Sequence, residues 1–205
     1  MVEVTDETPR RAPRVVIAED EALIRLDLRE MLEEEGYQVV AEAADGEQAV
    51  ALVTEHRPDL AVLDVKMPVL DGISAAEQIA SARLAPVVML TAFSQRELVE
   101  RARAAGAMAY LVKPFSKADL VPAVEMAMAR YDELTTLENE VGDLRERLET
   151  RTLVDRAKGL LQDRHGLGEA AAYRWVQRTS MDRRMSMRQV AELVLREAAA
   201  GPSDG

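Results

Sequence analysis

The chain has 205 residues, 48% of them hydrophobic and 31% charged, a composition that makes one large or two small globular domains, two being preferred. No apolar run approaches the roughly 18 residues of a membrane span. Residues 1–13 are polar, with Pro9 and Pro13 in place of a signal-peptide core, so a cytoplasmic protein with a disordered N-terminal tail is expected. With no cysteine and only His56 and His165, disulfide frameworks and Cys-built zinc sites are excluded, and each histidine reads as a surface or cap residue. The net charge of −11 is unevenly spread. Residues 145–200 hold twelve Lys or Arg against eight Asp or Glu, a balance of +4 that leaves −15 on the remainder. A basic module on an acidic carrier points to an anionic partner for the C-terminal part.

From residue 14 to 130, short apolar runs that end in polar residues alternate with helical stretches, the rhythm of an α/β domain. The predicted strands are 14–18, 39–43, 60–63, 87–90 and 109–112. Their continuous apolarity makes all five central strands of a parallel, doubly wound sheet. Five helices follow them. In the first, Leu23, Leu26, Leu28, Met31 and Leu32 form the predicted apolar stripe, and Gly36 stands where a helix end favours a left-handed residue. Pro68 and Gly72 mark the 66–72 loop as a turn, so the third strand ends at Asp64.

Ligands of open parallel sheets bind beyond the carboxyl ends of the strands. Glu19 and Asp20 follow the first strand, Asp64 the third, Thr91 the fourth and Lys113 the fifth, all on one rim. Three converging carboxylates repel unless a cation sits among them, and an all-oxygen set suits Mg²⁺. A hydroxyl and an ammonium beside the metal complete an anion site, the requirement for moving a phosphoryl group onto a carboxylate. Each residue also has an ordinary reading as loop, cap, turn or surface charge. Their coincidence on one rim favours the site.

The segments VVIAEDE (15–21), LDVKMPVLDG (63–72), MLTA (89–92) and AYLVKPF (109–115) closely resemble the signature regions of the two-component receiver family, in order. The resemblance covers about 120 residues. It implies that Asp64 is the phospho-acceptor, Asp20 a direct Mg²⁺ ligand, Glu19 a ligand through water and the Lys66 backbone carbonyl a further ligand. It also implies that Thr91 and Lys113 bind the phosphoryl oxygens, that Tyr110 is the aromatic that turns inward when Thr91 moves, and that Lys113-Pro114 is cis. A sensor histidine kinase would be the phosphodonor. Glu19 stands where many members have Asp, a mild departure. The enzyme alternative, a haloacid-dehalogenase-type phosphohydrolase, needs an acid two residues after its nucleophile; that position is Lys66, so a regulatory acceptor assisting only its own phosphoryl transfer and dephosphorylation is expected.

The fifth helix, starting near Ala118, is expected to run on through a charged linker. Leu134, Leu137, Val141, Leu144 and Leu148 are spaced 3, 4, 3 and 4, the seam of a coiled coil and a possible homodimer contact. Two heptads leave a helix lying on its own C-terminal domain as the alternative, with Gly142 as a hinge. Three helical stretches follow: 144–164 closed by Gly166, 168–181, and 187–199 with Ser186 and Gln189 as a capping box. Leu153, Ala157, Leu160, Leu161, Ala172, Val176, Val190, Val194 and Leu195 are the predicted core. Arg156, Lys158, Arg174, Arg178, Arg183, Arg184 and Arg188 surround it. Tyr173 and Trp175 read as core packing in preference to base stacking.

This last segment resembles the ANTAR domain, a three-helix RNA-binding output of antitermination regulators. Ala157-Lys158-Gly159-Leu160-Leu161, EAAAYRWV (169–176) and Val190-Ala191 carry the likeness over about 50 residues. The resemblance implies binding to paired RNA hairpins, for which the seven basic residues named above are the candidate contacts. The organisation expected is a tail (1–13), a receiver (14–130), a helical linker (131–150), a three-helix module (151–200) and a tail (201–205). A DNA-binding helix-turn-helix output is the alternative, disfavoured by the run 182–185 where a short Gly turn belongs; a protein-binding output is the third reading.

Overall fold

The computed structural model describes residues 11–92 and 96–199, so most of both expected tails lies outside the described residues. Two compact units divide the chain, Met1–Leu134 and Thr135–Gly205. The first alternates β1 (Arg14–Ala18), α1 (Ala22–Glu34), β2 (Gln38–Ala43), α2 (Gly46–His56), β3 (Leu60–Asp64), α3 (Gly72–Ser81), β4 (Val87–Thr91), α4 (Arg96–Ala104) and β5 (Ala109–Val112). Helix α5 (Lys117–His165) begins in this unit and ends in the second, which adds α6 (Glu169–Arg183) and α7 (Met187–Ala199).

All strand pairs are parallel, in the order β2-β1-β3-β4-β5, the flavodoxin-like doubly wound arrangement. The two-residue period of a strand sorts its side chains into two cores. Val16, Ala18, Ala61, Leu63, Val87 and Met89 pack with Val53, Ile73 and Ile79 of α2 and α3. Val15, Ile17, Leu60, Val62, Val88 and Leu90 pack on the other face with Leu28 and Leu32 of α1 and Leu120 and Val124 of α5. Each Val, Leu, Ile or Met among them, withdrawn fully from water, contributes about 1.5–3 kcal/mol.

Two expectations for this unit need correction. Only β1, β3 and β4 are central; β2 and β5 are edges, with Gln38, Glu42, Tyr110 and Val112 exposed, because a five-strand sheet must end somewhere and apolarity alone does not say where. The α1 stripe is also narrower than predicted. Leu28 and Leu32 are buried, whereas Leu23 and Leu26 face solvent at 79% and 49% exposure. A helix packed flat on a sheet covers one face, and residues 23 and 26 lie off it.

Local signals act as their chemistry requires. Gly36 takes φ +84° after α1, and the Asp45 and Asp71 carboxylates accept from the Gln48 and Ser74 amides at 2.8 and 2.9 Å, capping α2 and α3.

In the second unit, Val154, Ala157, Leu161, Ala172, Val176, Val190 and Ala191 are buried. Val154 and Ala191 were absent from the predicted core, and Leu153, Leu160, Val194 and Leu195 are only partly buried. The Ser186 hydroxyl accepts from the Gln189 amide at 3.1 Å while the Gln189 side chain accepts from the Ser186 amide at 2.9 Å, the capping box of α7. Tyr173 and Trp175 are not core residues: they are 44% and 43% exposed, because the α6 face that meets the small core has room only for Ala172 and Val176.

Candidate functional site

The carboxyl ends of β1, β3, β4 and β5 bring the sequence-predicted site residues of the first unit together. Asp20, Asp64, Lys66, Thr91 and Lys113 line one small pocket of about 200 Å³, with Glu21, Val65 and Ala92 completing it. Glu19 joins the group through Lys113. The Lys113 ammonium lies 2.6 Å from Asp64 Oδ1 and 2.5 Å from Glu19 Oε2. The second Asp64 oxygen accepts from the Lys66 backbone amide at 2.8 Å. Lys113 is itself placed by its backbone amide, which donates to the Thr91 carbonyl at 2.7 Å, and its bond to Pro114 is cis. Glu19, Asp64 and Thr91 are buried, and Asp20 is exposed at the mouth. Tyr110 is not in the pocket; its ring is half exposed on β5.

Burial pushes the Glu19 carboxyl above its ordinary range, opposed by the hydrogen bond from Lys113. For Lys113, burial works against the ammonium, yet the hydrogen bonds it donates to Asp64 and Glu19 outweigh it and the net shift is upward. The two buried acids are tolerated because one ammonium serves both.

Two contributors were not read from the sequence. Gly72 lies so close to the end of β3 that a Cβ there would stand 1.8 Å from the Asp64 carbonyl oxygen, and its amide donates to the Val65 carbonyl at 3.0 Å. The glycine was read only as a turn marker. Arg25, in appearance a surface charge of α1, donates to the Glu19 carbonyl and reaches Glu42 at 3.3 Å, tying the loop that carries Glu19 and Asp20 to β2. No local pattern signals a contact that crosses elements in this way.

The donor chemistry fits a divalent cation. One oxygen from each of Glu19, Asp20 and Asp64 lies within 4.8 Å of the others, an acidic, oxygen-only cluster of the kind receiver domains use for Mg²⁺.

In the second unit the seven predicted basic residues do not form one patch. Lys158 is held by Asp155 at 2.9 Å and Glu169 at 3.1 Å, and Arg188 by Glu149 and Glu192, both at 3.1 Å. Arg156, Arg174, Arg178, Arg183 and Arg184 are exposed. Arg174 and Arg178 line a groove on α6 with Trp175, while Lys158 lines a different one with Tyr173.

The family model of the response regulator receiver domain matches residues 15–125, and that of the ANTAR domain matches residues 142–195. The chain belongs to the response regulators, with a receiver followed by an ANTAR output. It is 64% identical over 191 residues, 93% of each chain, to the transcriptional regulatory protein PdtaR of Mycobacterium tuberculosis. Among solved structures it is similar to the signal receiver domain of NarL from Mycobacterium tuberculosis, at TM-score 0.53 and 32% identity over 55% of this chain and 93% of that one. It is also similar to a chain of the CheX-CheY-BeF3-Mg²⁺ complex from Borrelia burgdorferi, at TM-score 0.53 and 30% identity over 58% and 88% of the respective chains. The protein is a regulatory component of a phosphorelay with an RNA-binding antitermination output, not a DNA-binding helix-turn-helix regulator. Among the described residues no helix is long and apolar enough to cross a membrane.

Proposed function

We propose that Asp64 is the phosphoryl acceptor and that its phosphorylation by a histidine kinase controls RNA binding by the second unit. The observation that carries the reading is the setting of Asp64: buried at the end of β3, one oxygen on Lys113 and the other on the Lys66 amide, with Thr91 in the same pocket. In the transfer, an Asp64 oxygen attacks phosphorus, the P–N bond of a phosphohistidine breaks, and the imidazole leaves with the electron pair and takes up a proton. Lys113 and Thr91 then hold phosphoryl oxygens, which is all the protein needs to do for a loose transition state beyond positioning. The chain promotes only this transfer and its own dephosphorylation, in which water attacks phosphorus, inorganic phosphate leaves and the Asp64 carboxylate is restored, in a cytoplasmic setting.

Mg²⁺ would be held by Asp20, Asp64 and the Lys66 carbonyl, with Glu19 acting through water, and would neutralise charge on the phosphoryl oxygens. The presence of Mg²⁺ in the similar complex from Borrelia burgdorferi supports the choice of metal. Withdrawal of Thr91 toward a phosphoryl group would open space for the exposed Tyr110 ring and reshape the surface beside α5. The output would take paired RNA hairpins through Arg156, Lys158, Arg174, Arg178, Arg183, Arg184 and Arg188. Leu134, Leu137, Val141, Leu144 and Leu148, each about half exposed on α5, supply the seam for a homodimer. Asp64→Asn should abolish labelling by phosphorylated kinase or a small phosphodonor. Full labelling of that variant at another aspartate would end the assignment.

A further inference from the structure

Helix α6 shows the core only its Ala172 and Val176 side. At 100° per residue, Arg174, Arg178 and Met181 fall on the other side and Trp175 on the flank, where together they line a shallow groove. Trp175 is 43% exposed and Met181 72%. Among the described residues Arg174 and Arg178 have no ion-pair partner, whereas Lys158 and Arg188 are each held by two carboxylates. Asp182 is the single acid lining the groove.

Trp175 thus keeps a large part of its indole in water, in a groove it shares with two guanidiniums that have no ion-pair partner among the described residues. We propose that Trp175 receives an unpaired nucleobase of the bound RNA by stacking, with Arg174 and Arg178 on the phosphates flanking that base. The proposal deepens the RNA-binding reading and rests on it.

The chemistry favours a splayed base over the alternatives. In A-form duplex the bases are stacked on each other and the major groove is too narrow and deep for side chains to read, so an exposed indole finds its partner only at a loop, bulge or end. Two guanidiniums suit a polyanion, and their reach from adjacent turns matches a backbone passing over the ring. A protein interface would need about 800 Å² from each partner with an apolar centre, more than one indole and one thioether provide. The reading also separates two kinds of cation in the domain: Lys158 and Arg188 must give up carboxylates before they meet phosphate, and Arg174 and Arg178 need not.

Trp175 is the one tryptophan of the chain, so its emission reports on this face alone. The full-length protein is titrated with a pool of stem-loop RNAs bearing randomised loops and, separately, with blunt duplex RNA of equal length. Binding is read by anisotropy of labelled RNA and stacking by quenching of the indole. Stem-loops should quench emission and duplex should not. Trp175→Ala should weaken stem-loop binding on the order of 5- to 100-fold with an unchanged salt slope, and Trp175→Phe should retain most of it. Arg174→Ala with Arg178→Ala should flatten the slope of log affinity against log salt by about 0.7 for each lost contact. Stem-loops that raise anisotropy without quenching, or bind Trp175→Ala as tightly as wild type, overturn the stacking proposal while RNA binding stands. No anisotropy change with any RNA removes the RNA-binding reading itself, and the proposal with it.

Discussion

The Lys113 ammonium stands 2.6 Å from Asp64 and 2.5 Å from Glu19, so one cation compensates two buried acids at the end of the sheet. Removing it leaves both without a countercharge. Lys113→Met should destabilise the receiver by about 2–3 kcal/mol at neutral pH, measured by urea unfolding in the presence of a chelator. The Glu19 carboxyl is raised by burial, so whatever stability it contributes is fully present below its unfolded pKa and lost as pH rises through the folded one. The deficit of Lys113→Met should therefore shrink on acidification, since a protonated Glu19 needs no partner. A deficit independent of pH would mean that Glu19 and Lys113 are not coupled.

Gly72 is required by space, not by conformation. A methyl group would meet the Asp64 carbonyl at 1.8 Å, which no side-chain rotation relieves. Gly72→Ala should cost about 1–3 kcal/mol, as overpacking does, and should slow labelling of Asp64 because the backbone that carries the acceptor must move. Wild-type stability together with a wild-type labelling rate would show that β3 yields without consequence.

In the output unit, the hydrogen bond from Lys158 holds the Asp155 carboxyl below its ordinary value. A lowered folded pKa gives a contribution that is present above the unfolded value and disappears as pH falls through the folded one. The Asp155 carbon resonance should accordingly titrate below the ordinary aspartate value of about 3.9, and should return toward it in Lys158→Gln. The same pair makes Asp155 a competitor of RNA phosphate, so Asp155→Asn should raise RNA affinity if Lys158 is a contact.

Residues 132–149 of α5 are exposed, the seam leucines among them. A second copy of the chain is the partner that the 3,4 spacing selects. Light scattering with a phosphoryl mimic should give a dimer for the wild type and a monomer for Leu137→Asp with Leu144→Asp. A wild type that stays monomeric with and without the mimic rules out this seam as the switch, and a rise in RNA affinity at constant mass would transfer that role to unmasking of the basic face.

Much of this molecule is determined within short stretches of chain. The β1, β3 and β4 runs are apolar enough to specify buried parallel strands, Ser186 and Gln189 contain their own capping geometry, and Gly36 needs only its left-handed backbone. Even Asp64, Thr91 and Lys113 are recognisable by position, because a strand in an open parallel sheet ends at the ligand rim wherever it sits in the order. Other properties depend on what the rest of the chain covers. Which strands are edges, why Leu32 is buried and Leu23 is not, and why Trp175 stays in water follow from the finite area of each packed face, a quantity no local window contains. The charges divide in the same way. Lys158 and Arg178 are both plain cations in the sequence; Asp155, three residues away on the same helix, and Glu169, eleven residues away on another, engage the first and leave the second available. Coulomb attraction acts across space, so the tertiary structure decides which basic residues are free to meet RNA.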